Sequence, residues 1–430
     1  MLSSSSGTAS PGSGVSRKIT PATSLDGLDK NVWVEFTALA AQTKAVNLGQ
    51  GFPDFSPPRS LLDALAEVNT RPLAHQYTRS QGHPKLVKAL AKLYGTLMHR
   101  EIDPLKEVII THGAYTALSH ATRAFLNPDD EVVVLEPFFD CYAPMAKIAR
   151  ANVRYVPLRP RGTNPASSGD YVLDPQELRA AFSDKTKIII INNPNNPLGK
   201  VYRREELELI ASLCREFDVL CISDEVYEWL VYDGLEHIRM ATLPGMWERT
   251  LTIGSAGKTF SATGWKTGWV LGPEKLITPL QWVNAASGYT MITPLQEALS
   301  EAFDVETDKL GKPDCYFVEL PRLLRRKRDE ALAVLREVGF NPIVPDGGYF
   351  VLADVSKFNM EFDNKDEAYD FQFVKWMTKT KGVAAIPPTA FYSQEHSQLS
   401  GKLVRFCFCK DDSTLQAAYK RLREWAQERR

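Results

Sequence analysis

Lys258 is the residue whose surroundings most suggest chemistry. It stands in the run Leu251-Thr-Ile-Gly-Ser-Ala-Gly-Lys-Thr-Phe260. The Leu-Thr-Ile segment predicts a strand end and the Gly-Ser-Ala-Gly spacer a tight loop. Together they deliver one amine into a space that a flat ligand can fill. A free lysine amine, with a pKa of about 10.4, is a poor nucleophile at neutral pH. Burial or cationic neighbours lower that value enough for a Schiff base with a carbonyl to form. Most lysines are solvated surface residues, so the rest of the chain has to decide.

Asp224 directly follows an apolar run. A carboxylate there can keep a pyridinium nitrogen protonated, or it can simply cap a helix or turn. Tyr227, three residues on, projects on the same side if a helical turn follows, and its hydroxyl can then donate to a phenolate oxygen. The segment from Asn192 to Gly199 is dense in Asn and Pro. It makes a stiff turn by itself, and it also lets Asn196 offer an amide to a ring oxygen and a carboxylate. Gly113, Ala114 and Tyr115 fall between a strand and a helix, where free N–H groups make an anion site. Ser255 and Lys266 flank Lys258 and can add a hydroxyl and a cation to the same phosphate. No Gly-x-Gly-x-x-Gly opens a βαβ unit and no Walker A pattern occurs, which argues against a dinucleotide or ATP. Arg405 lies in a late apolar strand. Its planar fork calls for a carboxylate, either from a ligand or from an internal Asp or Glu.

These residues need a frame that brings them together. Apolar runs at Glu107–Thr111, Glu131–Leu135, Lys187–Ile191, Val219–Ser223 and Leu251–Ile253 read as strands. Helical patterns such as Thr116–Phe125 and Arg203–Phe217 separate them. Near-continuous apolar strands alternating with helices predict an α/β fold, with a parallel sheet covered on both faces. Ligands bind such sheets outside the carboxyl ends of the strands, and each polar cluster above falls at a carboxyl end. The later chain reads as a smaller α+β unit. It has strands at Gly347–Leu352 and Val404–Cys409, and helices at Leu320–Val338, Glu367–Lys379 and Ser413–Glu428. The basic run Arg325–Arg328 is expected to be a solvated helix face, because acidic residues surround it. Asp304–Asp314 is polar and is expected to be a surface insertion.

A chain of 430 residues accommodates two or three domains, or one large α/β domain with an appendage. Lys and Arg number 51 against 52 Asp and Glu, so the electrostatic footprint of a nucleic-acid binder is missing. No apolar run approaches the length of a membrane span. The six cysteines show neither zinc spacing nor a disulfide framework, which points to no metal and a reducing compartment. Met1–Gly14 is Ser/Gly-rich and reads as a disordered tail. A cytoplasmic protein is expected, or a mitochondrial one if this segment acts as a weak presequence.

Taken singly, each residue has a bland reading. Their order is specific: a Gly turn, an Asn-Pro turn, a strand-end Asp with Tyr three later, Ser-x-x-Lys, a basic residue eight further on, and a late strand Arg. This pattern resembles the fold-type I pyridoxal-phosphate aminotransferases from about Leu28 to the end of the chain. Asn47-Leu-Gly-Gln-Gly-Phe-Pro-Asp-Phe55, Glu136-Pro-Phe-Phe-Asp-Cys-Tyr142, Asn193-Pro-Asn-Asn-Pro-Leu-Gly-Lys200, Ser255–Lys266 and Arg405-Phe-Cys-Phe408 resemble the kynurenine aminotransferase group. That group overlaps with glutamine transaminase K and cysteine-S-conjugate β-lyase.

The resemblance implies a large domain, 59–320, built on a mainly parallel seven-stranded sheet between helices, and a small α+β domain, 321–430. An arm, 25–58, would join the small domain, with 1–24 as the tail. It implies pyridoxal 5'-phosphate as cofactor, tethered by Lys258, whose amine would move the substrate's α-proton once freed. Asp224 would face the ring nitrogen, and Tyr227 and Asn196 the ring oxygen. Phe139 and Val226 would lie on the two ring faces. Gly113, Ala114, Tyr115, Ser255 and Lys266 would hold the phosphate; related enzymes often have Arg at the last position. Tyr77 would reach the phosphate of a neighbouring subunit, making the protein a homodimer with shared sites.

Arg405, Asn196 and the Gly51 N–H would clamp the substrate carboxylate. Trp33, Tyr115, Phe139, Tyr349 and Phe350 would wall an aromatic pocket suited to kynurenine, phenylalanine, methionine or glutamine. No second arginine for a distal carboxylate can be placed. Tyr289-Thr290 stands where some members carry Phe-His, so the ranking of amino donors is open. The implied activity is ping-pong transamination with 2-oxo acids, kynurenine to kynurenic acid included. Elimination from cysteine conjugates is the alternative, as main or side reaction. A non-catalytic regulator of the same fold would need a DNA-binding appendage, for which the N-terminal segment is too short and too Ser/Gly-rich.

Overall fold

A computed structural model describes residues 19–29 and 31–429. The tail expected over 1–24 therefore lies outside the described residues up to position 18, and a single 3-10 turn spans Thr23–Leu25.

A seven-stranded sheet carries the site. Its spatial order is Val108–Thr111, Gly268–Leu271, Thr250–Ser255, Leu220–Asp224, Thr186–Asn192, Glu131–Glu136 and Asn152–Pro157. Gly268–Leu271 runs antiparallel to both neighbours, and the other adjacent pairs are parallel. Alternate residues of each strand feed two apolar layers, as the period of two requires. Val132, Val134, Ile188, Ile190, Ile222 and Ile253 pack on one face. Val133, Ile189, Ile191 and Cys221 pack on the other. With both faces covered, the central strands are apolar throughout, which is why they stand out in the sequence.

Two strands of this sheet differ from the sequence-based expectation. Asn152–Pro157 is an edge strand whose first four residues alternate between exposed and half-buried, so its apolar signal is weak. Gly268–Leu271 has only four residues and opens on a glycine.

The later chain forms a three-stranded antiparallel sheet of Asn341–Ile343, Phe350–Asp354 and Leu403–Cys407. The helices Tyr316–Val338, Tyr369–Lys381 and Asp412–Glu428 supply much of the apolar core around it. Val46–Asn47 pairs in parallel with Val383–Ala384, which fastens the early chain to this unit. The early Phe36 and Leu48 belong to the same apolar cluster.

Two expectations are corrected. Arg325–Arg328 is not a uniformly solvated face, because Lys327 and Arg328 are each only 3% exposed. Arg328 donates to Asp233 at 2.6 Å and to Asp329 at 2.7 Å, and Lys327 donates to Asp412. Burial of these cations is tolerated because each meets a carboxylate. Asp304–Asp314 is not an insertion either. The helix Thr293–Asp308 takes in its first five residues, with Glu306 buried and accepting from the Tyr316 N–H at 2.6 Å. Its polar residues begin a helix-to-helix junction.

Among the described residues no helix is long and apolar enough to cross a membrane. All six cysteines are buried and unpaired.

Candidate active site

The carboxyl ends of the strands open into a cavity of about 440 Å³. Lys258, Asp224, Arg405, Asn196, Ser255 and Lys266 all line it. Strand direction explains the convergence, since Asp224 and Ser255 end neighbouring parallel strands.

Lys258 sits in the one-turn helix Ala256–Thr259, which follows the strand Thr250–Ser255. Its Nζ donates to the Tyr349 hydroxyl at 2.5 Å and to the Gly51 carbonyl at 3.3 Å. Loss of solvent lowers its pKa to about 8, so a sizeable neutral fraction exists near physiological pH.

Asp224 is buried, and its Oδ2 accepts from the Tyr142 hydroxyl at 2.7 Å. Burial raises its pKa to about 6, against the pull of the Tyr142 hydroxyl and the Val226 N–H. No cation bonds its carboxylate among the described residues. Tyr227 reaches the cavity through a tight turn, not the helical turn expected. Asn192 braces the neighbourhood. Its Oδ1 accepts from the Asn196 N–H at 2.6 Å, and its Nδ2 donates to the Asp224 carbonyl at 3.0 Å.

Gly113 opens the helix Gly113–Phe125 at a positive φ of 79°. Any Cβ there would lie 3.4 Å from the Lys266 Nζ, so the ammonium stands directly over the helix start. Free N–H groups, a lysine and Ser255 thus meet at one place, and such a set binds an anion.

Arg405 is fully buried. It donates to Asn196 Oδ1 at 2.9 Å and to the Gly49 carbonyl at 2.8 Å, while its Nε has no partner. Phe350, Phe391 and Trp33 surround the guanidinium, with ring centres 3.9, 4.9 and 5.1 Å from its carbon. Burial lowers its pKa to about 10, so it stays a cation at neutral pH. Among the described residues no Asp or Glu bonds Arg405, so the internal-carboxylate alternative is not met there. Asp140, an acid beside it, instead accepts from Trp33 Nε1 at 2.6 Å. Arg405 lines the cavity as a buried cation, and a planar guanidinium in that position is a receptor for a carboxylate.

Gly51, Trp33, Gly113, Ala114, Tyr115, Phe139, Val226 and Phe350 also line the cavity. Three predicted residues do not. Tyr349 lies behind the wall, with its hydroxyl on Lys258. Tyr77 and Tyr289 stand outside, 83% and 59% exposed, as an edge-to-face pair with centres 5.6 Å apart. Tyr142, Asp140 and Asn192 also belong to the site, and none is among the residues expected from the sequence. Asp140 and Tyr142 sit in the motif string around Phe139, and Asn192 directly precedes the one that opens at Asn193, but none of the three gives a local clue to its partner.

The profile of the family "Aminotransferase class I and II" matches residues 43–422. Human kynurenine--oxoglutarate transaminase 3 is 52% identical over 416 residues, covering 96% of this chain and 92% of that protein. Human kynurenine--oxoglutarate transaminase 1 is 49% identical over 409 residues, with 93% and 97% covered. Among solved structures, N-succinyldiaminopimelate aminotransferase from Mycobacterium tuberculosis superposes with a TM-score of 0.86 at 36% identity, covering 94% of this chain and all of that one.

Proposed function

The chain belongs to the class I and II aminotransferases, and from that premise we propose that it transfers the amino group of kynurenine to 2-oxoglutarate or a related 2-oxo acid. Glutamine, methionine and aromatic amino acids are the further donors. The names of the human relatives support the kynurenine reading. The aromatic lining from Trp33, Tyr115, Phe139 and Phe350 supports flat or apolar side chains.

Members of this family work with pyridoxal phosphate, and the donor set here fits that group. Asp224 is a buried carboxylate that lacks a cation, Lys258 is an amine of lowered pKa, and an anion cradle lies at Gly113. Gly113, Ala114, Tyr115, Ser255 and Lys266 would hold its phosphate, Asp224 its ring nitrogen, and Tyr227 with Asn196 its ring oxygen. Phe139 and Val226 would cover its faces, and Lys258 would be its tether. Bound there, the group supplies an electron sink for the bonds at the substrate's α-carbon.

The chain's own residues supply the rest. Arg405, with Asn196 and the Gly51 N–H, fixes the substrate carboxylate and so the position of the α-carbon. Lys258 Nζ accepts the proton that leaves that carbon and holds it for return. The aromatic walls exclude water.

Tyr77 and Tyr289, exposed and outside the cavity, fit a homodimer in which each subunit completes its partner's site. A cytoplasmic location fits six unpaired thiols.

The observation that carries this reading is a buried arginine, Arg405, lining the same cavity as Lys258 and Asp224. The test is a steady-state screen of amino donors against oxo acids, with kcat/KM as the measure. Kynurenine and 2-oxoglutarate should yield kynurenate and glutamate, from a protein that absorbs in the visible. A colourless protein that takes up no pyridoxal phosphate would end the reading. Pyruvate and ammonia as the dominant products from cysteine conjugates would move it to elimination.

A further inference from the structure

Tyr349 has the residue type of a pocket wall, yet its hydroxyl is spent elsewhere. It donates to the Gly51 carbonyl at 2.7 Å and accepts from Lys258 Nζ at 2.5 Å. Lys258 Nζ also donates to the same Gly51 carbonyl at 3.3 Å. The three groups close a small ring of hydrogen bonds. They come from the early chain, the large sheet unit and the smaller unit.

We infer that Tyr349 and the Gly51 carbonyl form the resting place of the Lys258 amine, and that Tyr349 is a positioning residue for proton transfer. This inference rests on the aminotransferase reading above. A neutral amine has two N–H bonds and one lone pair. With both hydrogens committed to Tyr349 and Gly51, the lone pair is the only free site on the nitrogen. The amine is thereby held as a proton acceptor when it is not tethering the cofactor. Tyr349 cannot itself protonate Lys258, because its one hydrogen goes to Gly51. Burial raises its phenol far above the ordinary value, so the hydroxyl keeps that hydrogen. Packing fixes the arrangement. The Tyr227 ring meets Tyr349 edge-on with centres 5.0 Å apart. A Cβ at Gly51 would fall 2.4 Å from Phe350 Cζ and 3.3 Å from Tyr349 Cε2, so a glycine is needed for the carbonyl to come this close.

The experiment compares the wild-type chain with Tyr349→Phe, which keeps the ring and removes the oxygen. In the cofactor-free protein, Lys258 is acylated with trace acetic anhydride at fixed pH and its peptide is followed by mass spectrometry. Losing an acceptor disfavours the ammonium, so acylation should quicken about threefold or more. In the cofactor-loaded protein, loss of deuterium from α-deuterated phenylalanine should slow about tenfold or more, with substrate affinity nearly unchanged. A more reactive amine that transfers protons more slowly is the signature of lost positioning. Both rates unchanged, or both falling together as in general damage, would overturn the inference. Should the Phe variant not fold, 3-fluorotyrosine at position 349 keeps the hydroxyl but weakens it as an acceptor, and the same two opposed shifts should follow at smaller size; their absence overturns the inference equally. The acylation arm needs no cofactor. Failure of the wild-type chain to take up pyridoxal phosphate would therefore sink the functional reading and leave Tyr349 still tested.

Discussion

The Tyr142 hydroxyl donates to Oδ2 of Asp224 at 2.7 Å, joining the start of the helix Tyr142–Ile148 to the end of the strand Leu220–Asp224. Asp224 is buried with a raised pKa, and this hydrogen bond is the largest influence keeping its charged form accessible. Tyr142→Phe should push the Asp224 pKa above its present value of about 6. A buried hydrogen bond to a charged group contributes ~1.5–3 kcal/mol. Pyridoxal phosphate affinity should fall by about one to two orders of magnitude, read by titration of the visible band.

Asp224→Asn should raise the stability of the cofactor-free protein while abolishing useful cofactor binding. The carboxyl pKa is raised from 3.8 to about 6 in the fold, so the buried charge opposes folding wherever it is ionised. The opposition is complete above pH 6, on the order of 3 kcal/mol. It shrinks as the pH falls through about 6 and is gone near the ordinary carboxyl value. Denaturant unfolding of both proteins at pH 8 and pH 4 should show a gap at the higher pH that closes at the lower one.

Arg405→Lys should raise KM for the amino acid and the oxo acid alike. Lysine keeps the charge but loses the planar fork whose two terminal nitrogens are held by Asn196 and Gly49. Truncating one partner of a buried charge pair costs about 2–5 kcal/mol. A fall in kcat/KM of about two to three orders of magnitude is expected, carried mostly by KM. An unchanged KM would remove Arg405 from the substrate clamp.

Subunit mixing tests the role proposed for Tyr77. Lys258→Ala and Tyr77→Ala should each be weak or inactive as pure preparations. Unfolded and refolded together, they should regain about a quarter of wild-type activity, because half of the dimers are mixed and each holds one intact site. No recovery would place Tyr77 within its own subunit's function, or outside function altogether.

The sheet and the heart of the cavity were legible because parallel strands buried on both faces leave unbroken apolar runs, and their polar terminal residues stand out. Asp224 is of that kind, Lys258 follows such a strand in a one-turn helix, and Arg405 stands out as a charge inside an apolar antiparallel strand of the smaller sheet. Tyr349 was read as a wall because its ring says so, and its hydroxyl partner is an oxygen nearly three hundred positions earlier in the chain. Lys327 and Arg328 lie at helical spacing from buried Leu324 and Ala331, which the charge pattern concealed. What buries them is Asp233 and Asp412, and no local rule supplies those partners. The edge strand Asn152–Pro157 was hidden by its half-polar pattern.

Tyr349 and Arg405 have a consequence for synthesis, because both follow Lys258 in the chain. The chain leaves the ribosome from its N-terminus, so Lys258 emerges long before Tyr349 and Arg405 exist. Before those residues are made, the lysine lacks both, and water keeps it near its ordinary pKa of about 10.4. The lowered pKa and the Tyr349 contact belong to the folded chain, so the neutral amine depends on residues translated well after the lysine itself.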